Sequence, residues 1–224
     1  MTTPSALEVI AGRRSTRRFD PGRPLPDDLL RRILRFATLA PSGFNLQPWR
    51  FLVVRSARNR RRLRACADGR AELTDAPAVV IVLGYHHPQR TDLEEVLARA
   101  LGLGAITPAE AAEARGRAAR AVEAEFRPDA ATRALGPAMM AAATLMIAAE
   151  AHGVASAALE GFDVGRIRRA FGIPDDHSVG LLIPLGFAAQ SPPPPFPGRL
   201  GLGWVCFEEH FGQPWTLGEV EDSF

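Results

Sequence analysis

The sequence predicts an α+β fold in one domain, residues 1–224. Three observations carry that reading. The stretch 76–85, "APAVVIVLGY", is a continuous run of apolar, strand-forming residues, as in a strand buried on both faces. The stretch 136–153, "GPAMMAAATLMIAAEAHG", is helix-forming and apolar almost all round, so it belongs inside the protein or inside an interface. Strands and helices also fail to alternate one for one, as a doubly wound sheet would require.

The elements follow in order. Residues 5–12 read as a short helix: Ser5 is the cap, Glu8 completes a serine-x-x-glutamate box, and Gly12 ends it. Residues 25–40, "LPDDLLRRILRFATLA", open with acidic side chains and carry Leu29, Leu30, Ile33, Leu34 and Leu39 at helical spacing. The segment 40–49, "APSGFNLQPW", stops that helix. It mixes two prolines and a glycine with Phe and Trp, which a plain linker does not carry. "WRFLVV" reads as a strand and 58–67 as a helix. Residues 86–135 are rich in Ala, Arg and Glu, punctuated by Gly102, Gly104, Pro108 and Pro128, and read as two or three surface helices forming an insert or lid. After the apolar helix, "VASAAL" reads as a strand, "EGFD" as a turn, "VGRIRRAFGI" as a helix and "HSVGLLIPLGFA" as a strand. "SPPPPFPGR" is a stiff polyproline loop. Residues 200–224 are too short for a core of their own and read as a C-terminal extension.

Composition narrows the functional classes. All 27 basic residues are arginine, balanced by 25 acidic ones and interspersed with them. Nucleic-acid binding would need a one-sided basic stripe. Cys66 and Cys206 are isolated and fit no metal spacing. They read as two thiols, with a disulfide between them as the alternative. No basic-then-apolar leader opens the chain. The longest apolar segment, 138–149, falls short of the roughly 20 residues of a membrane span. The expectation is a soluble cytoplasmic protein that contacts neither nucleic acid nor membrane.

Two constellations carry chemistry. Arg13, Arg14, Arg17 and Arg18 surround Ser15 just after a helix. They are either a solvated turn in an arginine-rich chain or an anion site, since the guanidinium grips phosphate with two donors. "LEGFD" at 159–163 is either an ordinary strand-to-helix turn or a ligand loop. Gly161 permits close backbone approach, and Asp163 is a good helix cap. His86-His87 read as a surface loop, His152 as a helix-end cation or packed ring, and His177 as a turn residue. Nucleophile-elbow, zinc-protease, dinucleotide and phosphate-loop motifs are all missing. No metal site and no catalytic side chain are nominated.

In this order, the pieces resemble the nitroreductase family of FMN flavoproteins. "RRSTRRF" at 13–19 resembles its arginine-serine entry, "APSGFNLQPWRFLVV" at 40–54 its second block, and "LEGFD" with "GIPDDHSVGLLIPLGF" its later turn and strand. "GRL" at 198–200 is similar to a late arginine segment. The resemblance implies a three-layer sandwich with a mostly antiparallel central sheet flanked by helices. It also implies an entwined homodimer holding FMN at the interface, with the C-terminal extension against the partner subunit. Arg13, Arg14, Ser15 and Arg17 would contact FMN. Pro41, Ser42, Gly43 and Asn45 would reach it from the other subunit. Leu159, Glu160 and Gly161 would face flavin N5, and Arg199 would be a second phosphate arginine. Arg17 is the candidate charge near flavin N1. The implied activity is ping-pong hydride transfer from NADH or NADPH through FMN to a small oxidised acceptor such as a nitroaromatic or quinone. The alternatives are a dehydrogenation or reductive dehalogenation on the same fold, or a flavin-binding homologue without turnover. One departure stands out: Gly69 and Glu72 occupy positions that are often Asn and Lys in the family. Either Arg70 supplies the missing charge, or Glu72 points away, or the flavin is tuned differently.

Overall fold

The computed structural model describes residues 4–124, 130–189 and 196–214. Two compact units emerge, Met1–Ser191 and Pro192–Phe224. The first contains, in chain order, α1 (Ala6–Gly12), α2 (Asp27–Ala37), a 3₁₀ turn (Gly43–Asn45), β1 (Trp49–Val54), α3 (Ala57–Ala65), α4 (Glu72–Asp75), β2 (Ala78–Tyr85), α5 (Pro88–Thr91), α6 (Leu93–Gly102), α7 (Pro108–Ala124), α8 (Ala130–Ala151), β3 (Ala155–Ser156), α9 (Val164–Phe171) and β4 (His177–Gly186).

The strands form one antiparallel sheet in the order β1-β2-β4-β3. Side chains alternate across β2, and each face has its own core. Ala78, Val80 and Val82 face α2 and α8, where Leu30, Ile33, Ala141 and Leu145 are buried. Val79, Ile81 and Leu83 face the other way, toward Leu63 of α3, Leu73 of α4 and Ile167 of α9. This is the expected α+β sandwich, with helices on both faces of the sheet. A register shift between Val82 and Leu83, opposite Gly180, re-aims the start of β4.

The caps behave as the sequence requires. Ser5 accepts from Glu8 N–H, and Glu8 accepts from Ser5 N–H at 2.6 Å. Asp163 Oδ1 accepts from Arg166 N–H at 2.8 Å and starts α9.

Several elements differ from the sequence reading. Leu39, read as part of the apolar stripe of α2, is 71% exposed. The "VASAAL" strand shrinks to Ala155–Ser156, because only those two residues find partners, at the end of β4. The apolar helix begins at Ala130, ahead of the Gly136-Pro137 pair that reads as its start. A proline inside a helix gives up one backbone bond, and packing on the sheet carries α8 through it. Its Ala134 lies so close to β2 that a Cβ on Gly84 would come within 2.6 Å of the Ala134 carbonyl oxygen. By length and composition α8 could cross a bilayer, but its buried residues form part of the core between α2 and the sheet. It is not buried on all sides, since Met140 and Ile147 are exposed.

The insert has a small core of its own. Leu93, Leu97, Ala111 and Ala118 pack together, joined by Leu46 from the loop before β1. Arg115 donates twice to Glu94 between α7 and α6, and Arg50 of β1 pairs with Asp92 at 2.6 Å.

The second unit contains a short helix, α10 (Leu202–Val205), and a bridge between Phe207 and Pro214. It exposes Trp204 and Phe211, at 78% and 92%. Most of the polyproline stretch, residues 191–195, lies outside the described residues. Both cysteines are free thiols.

Candidate functional site

The arginine segment is stitched to the edge of the sheet. Ser15 bridges Ser156 of β3, and Thr16 N–H donates to the Ser156 carbonyl at 2.9 Å. Further on, Asp20 N–H donates to Phe187 O and Ala189 N–H to Arg18 O. The side chains of this segment therefore project from a fixed backbone. Arg14 turns back onto α1 and donates to Ala11 O and Arg13 O. Arg13 and Arg17 make no hydrogen bond or ion pair among the described residues. Glu150, at the end of α8, is held above the usual carboxylate range by burial, an effect opposed by the positive charges of Arg13 and Arg14.

Leu159–Asp163 continues from β3 along the same edge of the sheet, with Leu159 opposite Leu182 at mid-strand. Leu159 is buried and exchanges backbone hydrogen bonds with Leu182 of β4. Asp163 N–H donates to Cys66 O at the end of α3. Glu160 and Gly161, between these two anchors, are exposed, and Gly161 takes φ +72°. That is left-handed backbone, which favours glycine.

The loop carrying Pro41, Ser42, Gly43 and Asn45 is elsewhere. It precedes β1, whose first residue Trp49 pairs with Gly84, which pairs in turn with Ser178. The arginine segment meets the sheet where Ser156 pairs with Leu185. Seven residues of β4 separate those two levels, roughly 20 Å at the rise of a strand. One chain thus sets Arg13–Arg17 and Leu159 along the same edge of β4, three residues apart in its register, and holds Pro41–Asn45 at the far end. Arg199 belongs to the second unit, where it donates to Gly198 O and stacks on Phe196 at 4.7 Å.

The far loop is unusual in its backbone. Phe44, Asn45 and Gln47 all have left-handed φ, at 52°, 54° and 48°. For side-chain-bearing residues this costs roughly 1 kcal/mol or more apiece. The loop is braced against that cost: Gln47 N–H donates to Ser42 Oγ at 3.0 Å, Gln47 Nε2 donates to Asn45 O, and Leu46 sits in the insert core. Arg117 of α7 lies 6.0 Å from the Phe44 ring. Gly43, Phe44 and Leu46 line a pocket of about 230 Å³ with Tyr85, His86 and Arg133. His86 Nε2 is 2.8 Å from Ser178 Oγ. Burial, and then the charge on His87, holds the His86 pKa below the usual histidine value.

A family model described as "Nitroreductase family" matches residues 10–187. The chain belongs to the nitroreductase family. It is 35% identical over 182 residues to a protein of Thermus thermophilus named NADH dehydrogenase, covering 80% of this chain and 84% of that one. It is 32% identical over 191 residues to YdgI of Bacillus subtilis, named as an NAD(P)H nitroreductase, covering 82% and 88%. Among solved structures, a nitroreductase-type protein of Exiguobacterium sibiricum in complex with FMN matches with a TM-score of 0.82 at 27% identity, covering 93% of this chain and 99% of that one.

Within this nitroreductase fold, one feature escapes the sequence reading: the left-handed run at 44–47 has no local signature beyond one asparagine. Arg70, named from the sequence as one possible source of charge near Glu72, lies beside Gly161 in the folded chain.

Proposed function

We propose that this chain is an FMN-dependent NAD(P)H oxidoreductase. The observation that carries the reading is the donor set along the β3–β4 edge of the sheet. Arg13 and Arg17 make no hydrogen bond or ion pair among the described residues, on a segment fixed to β3, with the exposed left-handed Gly161 on the next loop. Guanidinium groups whose donors are unused suit a phosphate, and exposed glycine backbone suits the close approach of a flat ring. The donor chemistry therefore fits FMN. When bound, FMN supplies the hydride transfer between NAD(P)H and a small oxidised acceptor such as a nitroaromatic or quinone, in ping-pong order.

The chain's own residues bind and orient. Arg13, Arg14, Ser15 and Arg17 contact the phosphate, the ribityl chain and the pyrimidine edge, with Arg17 as the charge near N1 and Arg199 as a second phosphate arginine. Leu159, Glu160 and Gly161 present backbone to the ring near N5. Pro41, Ser42, Gly43 and Asn45 come from a second copy of the chain. Two observations support the homodimer. The loop bearing those residues is about a strand's length from its own arginine segment, and α1, α2 with the turn after it, and α8 expose Leu7, Ile10, Phe36, Leu39, Met140 and Ile147. Large apolar side chains left exposed on neighbouring helices suit an association face. The second unit, through Trp204 and Phe211, adds contacts to the partner subunit.

The test uses the purified chain. It is expected to be yellow with about one FMN per subunit, to bleach anaerobically with NADH or NADPH, and to recover colour on adding a quinone. An FMN-loaded protein that neither nucleotide bleaches would refute the oxidoreductase reading. A monomer that retains flavin would refute the shared site.

A further inference from the structure

Helix α3 divides its arginines between two tasks. Its sequence, ARNRRRLRA, holds five arginines and no acidic residue. Arg60 Nη1 donates to Ala76 O at 2.6 Å and to Thr74 O, and Arg64 Nε donates to Gly69 O at 2.7 Å. These two fix the segment that follows the helix, while Leu63 enters the core. Arg58, Arg61 and Arg62 do neither. Their spacing of i, i+3 and i+4 puts them on one face of the helix. All three are exposed, and none makes a hydrogen bond or ion pair among the described residues. Arg62 is steadied by Phe171 of α9, whose ring centre lies 5.9 Å from its guanidinium carbon. Helix α9 packs on the same face of the sheet and exposes Arg166 and Arg169. Their side chains also make no hydrogen bond or ion pair among the described residues.

This stripe works against the helix that bears it. Like charges three and four residues apart repel. Arg58 lies in the first turn, where the helix dipole disfavours a cation, and no acidic residue offsets it there. Burial, and then the charge of Arg61, lowers the Arg60 pKa from its ordinary value, while Asp75 opposes the change. The insert shows the other arrangement. There Arg99 pairs with Glu95 and Arg117 with Glu113 one turn away, and Arg115 pairs with Glu94 of the neighbouring helix. The whole chain is near balance, with 27 basic and 25 acidic residues, whereas 55–75 hold seven arginines against three acids. Those acids, Asp68, Glu72 and Asp75, all follow the helix. On α9, Asp163 is the cap and Asp175 pairs with Arg168.

A guanidinium fork matches a carboxylate with two donors. We propose that the α3 stripe is a docking surface for an acidic segment of a partner protein, with carboxylates that meet Arg58, Arg61 and Arg62. Duplex nucleic acid fits less well. The five exposed guanidinium groups on α3 and α9 are fewer than the roughly 6–10 phosphate contacts of a DNA-binding protein. The apolar groups exposed on α2 and α8 lie on the other side of the sheet, so association through them leaves the stripe open. Exposed charge pairs give fast, salt-sensitive and weak binding, which suits a transient partner.

The test uses the purified full chain and a fluorescein-labelled peptide of Glu-Glu-Ala-Ala repeats, followed by fluorescence anisotropy. The wild type is expected to bind at low salt and to release the peptide as salt rises. Arg58→Gln, Arg61→Gln and Arg62→Gln together should weaken binding about tenfold, the combined effect of three exposed charge pairs. The melting temperature of that variant should hold or rise, because the stripe's own charges repel; a merely structural role would lower it. Lysine at the same three positions should keep most of the affinity. Removing as many charges from the insert, with Arg90→Gln, Arg99→Gln and Arg120→Gln, should change it less than about twofold, since distant exposed charges are screened. The proposal is overturned if the wild type does not bind the peptide at low salt, or if the two glutamine sets lose affinity equally. Tighter binding of random-sequence duplex DNA than of the peptide at the same salt would also overturn it. So would a changed oligomeric state of the α3 variant in light scattering, which would make a second copy the occupant. If the triple variant does not fold, Arg61→Gln alone takes its place, with a loss of about twofold expected against none in Arg120→Gln.

Discussion

The two ends of the central sheet solve different problems. At the Ser156 end the arginine segment is pinned to the sheet while its donors stay unused: Arg13 and Arg17 make no hydrogen bond or ion pair among the described residues. At the Trp49 end the loop is braced from within by the Ser42 and Gln47 hydrogen bonds, and its backbone is strained, with three left-handed residues between Phe44 and Gln47. One end stores unpaired charge, which a ligand can relieve. The other stores conformational strain, which only the surrounding protein can support. Damage at the first end should therefore appear in ligand affinity, and damage at the second in stability.

The largest effect is expected from Arg13→Ala. In the FMN reading this removes a charge-assisted phosphate contact, which costs about 2–3 kcal/mol, or roughly 30–150-fold in FMN affinity. Apoprotein melting should barely move. Fluorescence titration with FMN and a melting curve on the same sample check both halves, and a large loss of apoprotein stability would blur the contrast between the ends. Next is Gly84→Ala, beside the strained loop. Its Cβ would strike the Ala134 carbonyl oxygen, and overpacking of that kind costs about 1–3 kcal/mol. Urea denaturation should show a lower midpoint with an unchanged slope.

Asn45 offers a sharper comparison within one position. Asn45→Val puts a β-branched residue at a left-handed φ and should cost about 1–2 kcal/mol, whereas Asn45→Gly fits the backbone. In the shared-site reading both variants also lose flavin and dimer affinity. Equal stability of the two variants would show that the left-handed geometry is not what the loop must maintain.

The smallest effect concerns His86. Its pKa is lowered in the folded state, by burial first and then by His87. The unfolded chain therefore binds more protons between the lowered value and about 6.5, and stability rises with pH across that window. The contribution is full above about 6.5 and is lost as pH falls through the folded-state pKa. Melting temperature followed from about pH 7.5 to 5 should fall less steeply in His86→Gln than in the wild type.

Much of the fold was legible because its signals are local. The Ser5–Glu8 box, the Asp163 cap, the stripe of α2 and the apolar run of β2 each need only neighbouring residues. What escaped depends on contacts distant in sequence. The strand expected at 154–159 has the right residues, but β4 offers pairing only at Leu185 and Gly186. Pro137 reads as a helix boundary, yet packing against the sheet overrides it. The arginine cluster at 13–17 was visible as a candidate anion site. Arg70 was visible as one of three ways to account for Glu72, but its place beside Gly161, and the use of Arg60 and Arg64 on loop carbonyls, needed the fold.

Leu46 belongs to the loop before β1 in sequence but to the insert in packing, beside Leu93, Leu97 and Ala111. The loop and helices α6 and α7 are therefore expected to open together, tethered to the sheet by the Arg50–Asp92 pair. In native-state hydrogen exchange, amides of 43–47 should share a single opening free energy with those of the insert core, below that of β2. One local unfolding equilibrium would then span two stretches far apart in the chain.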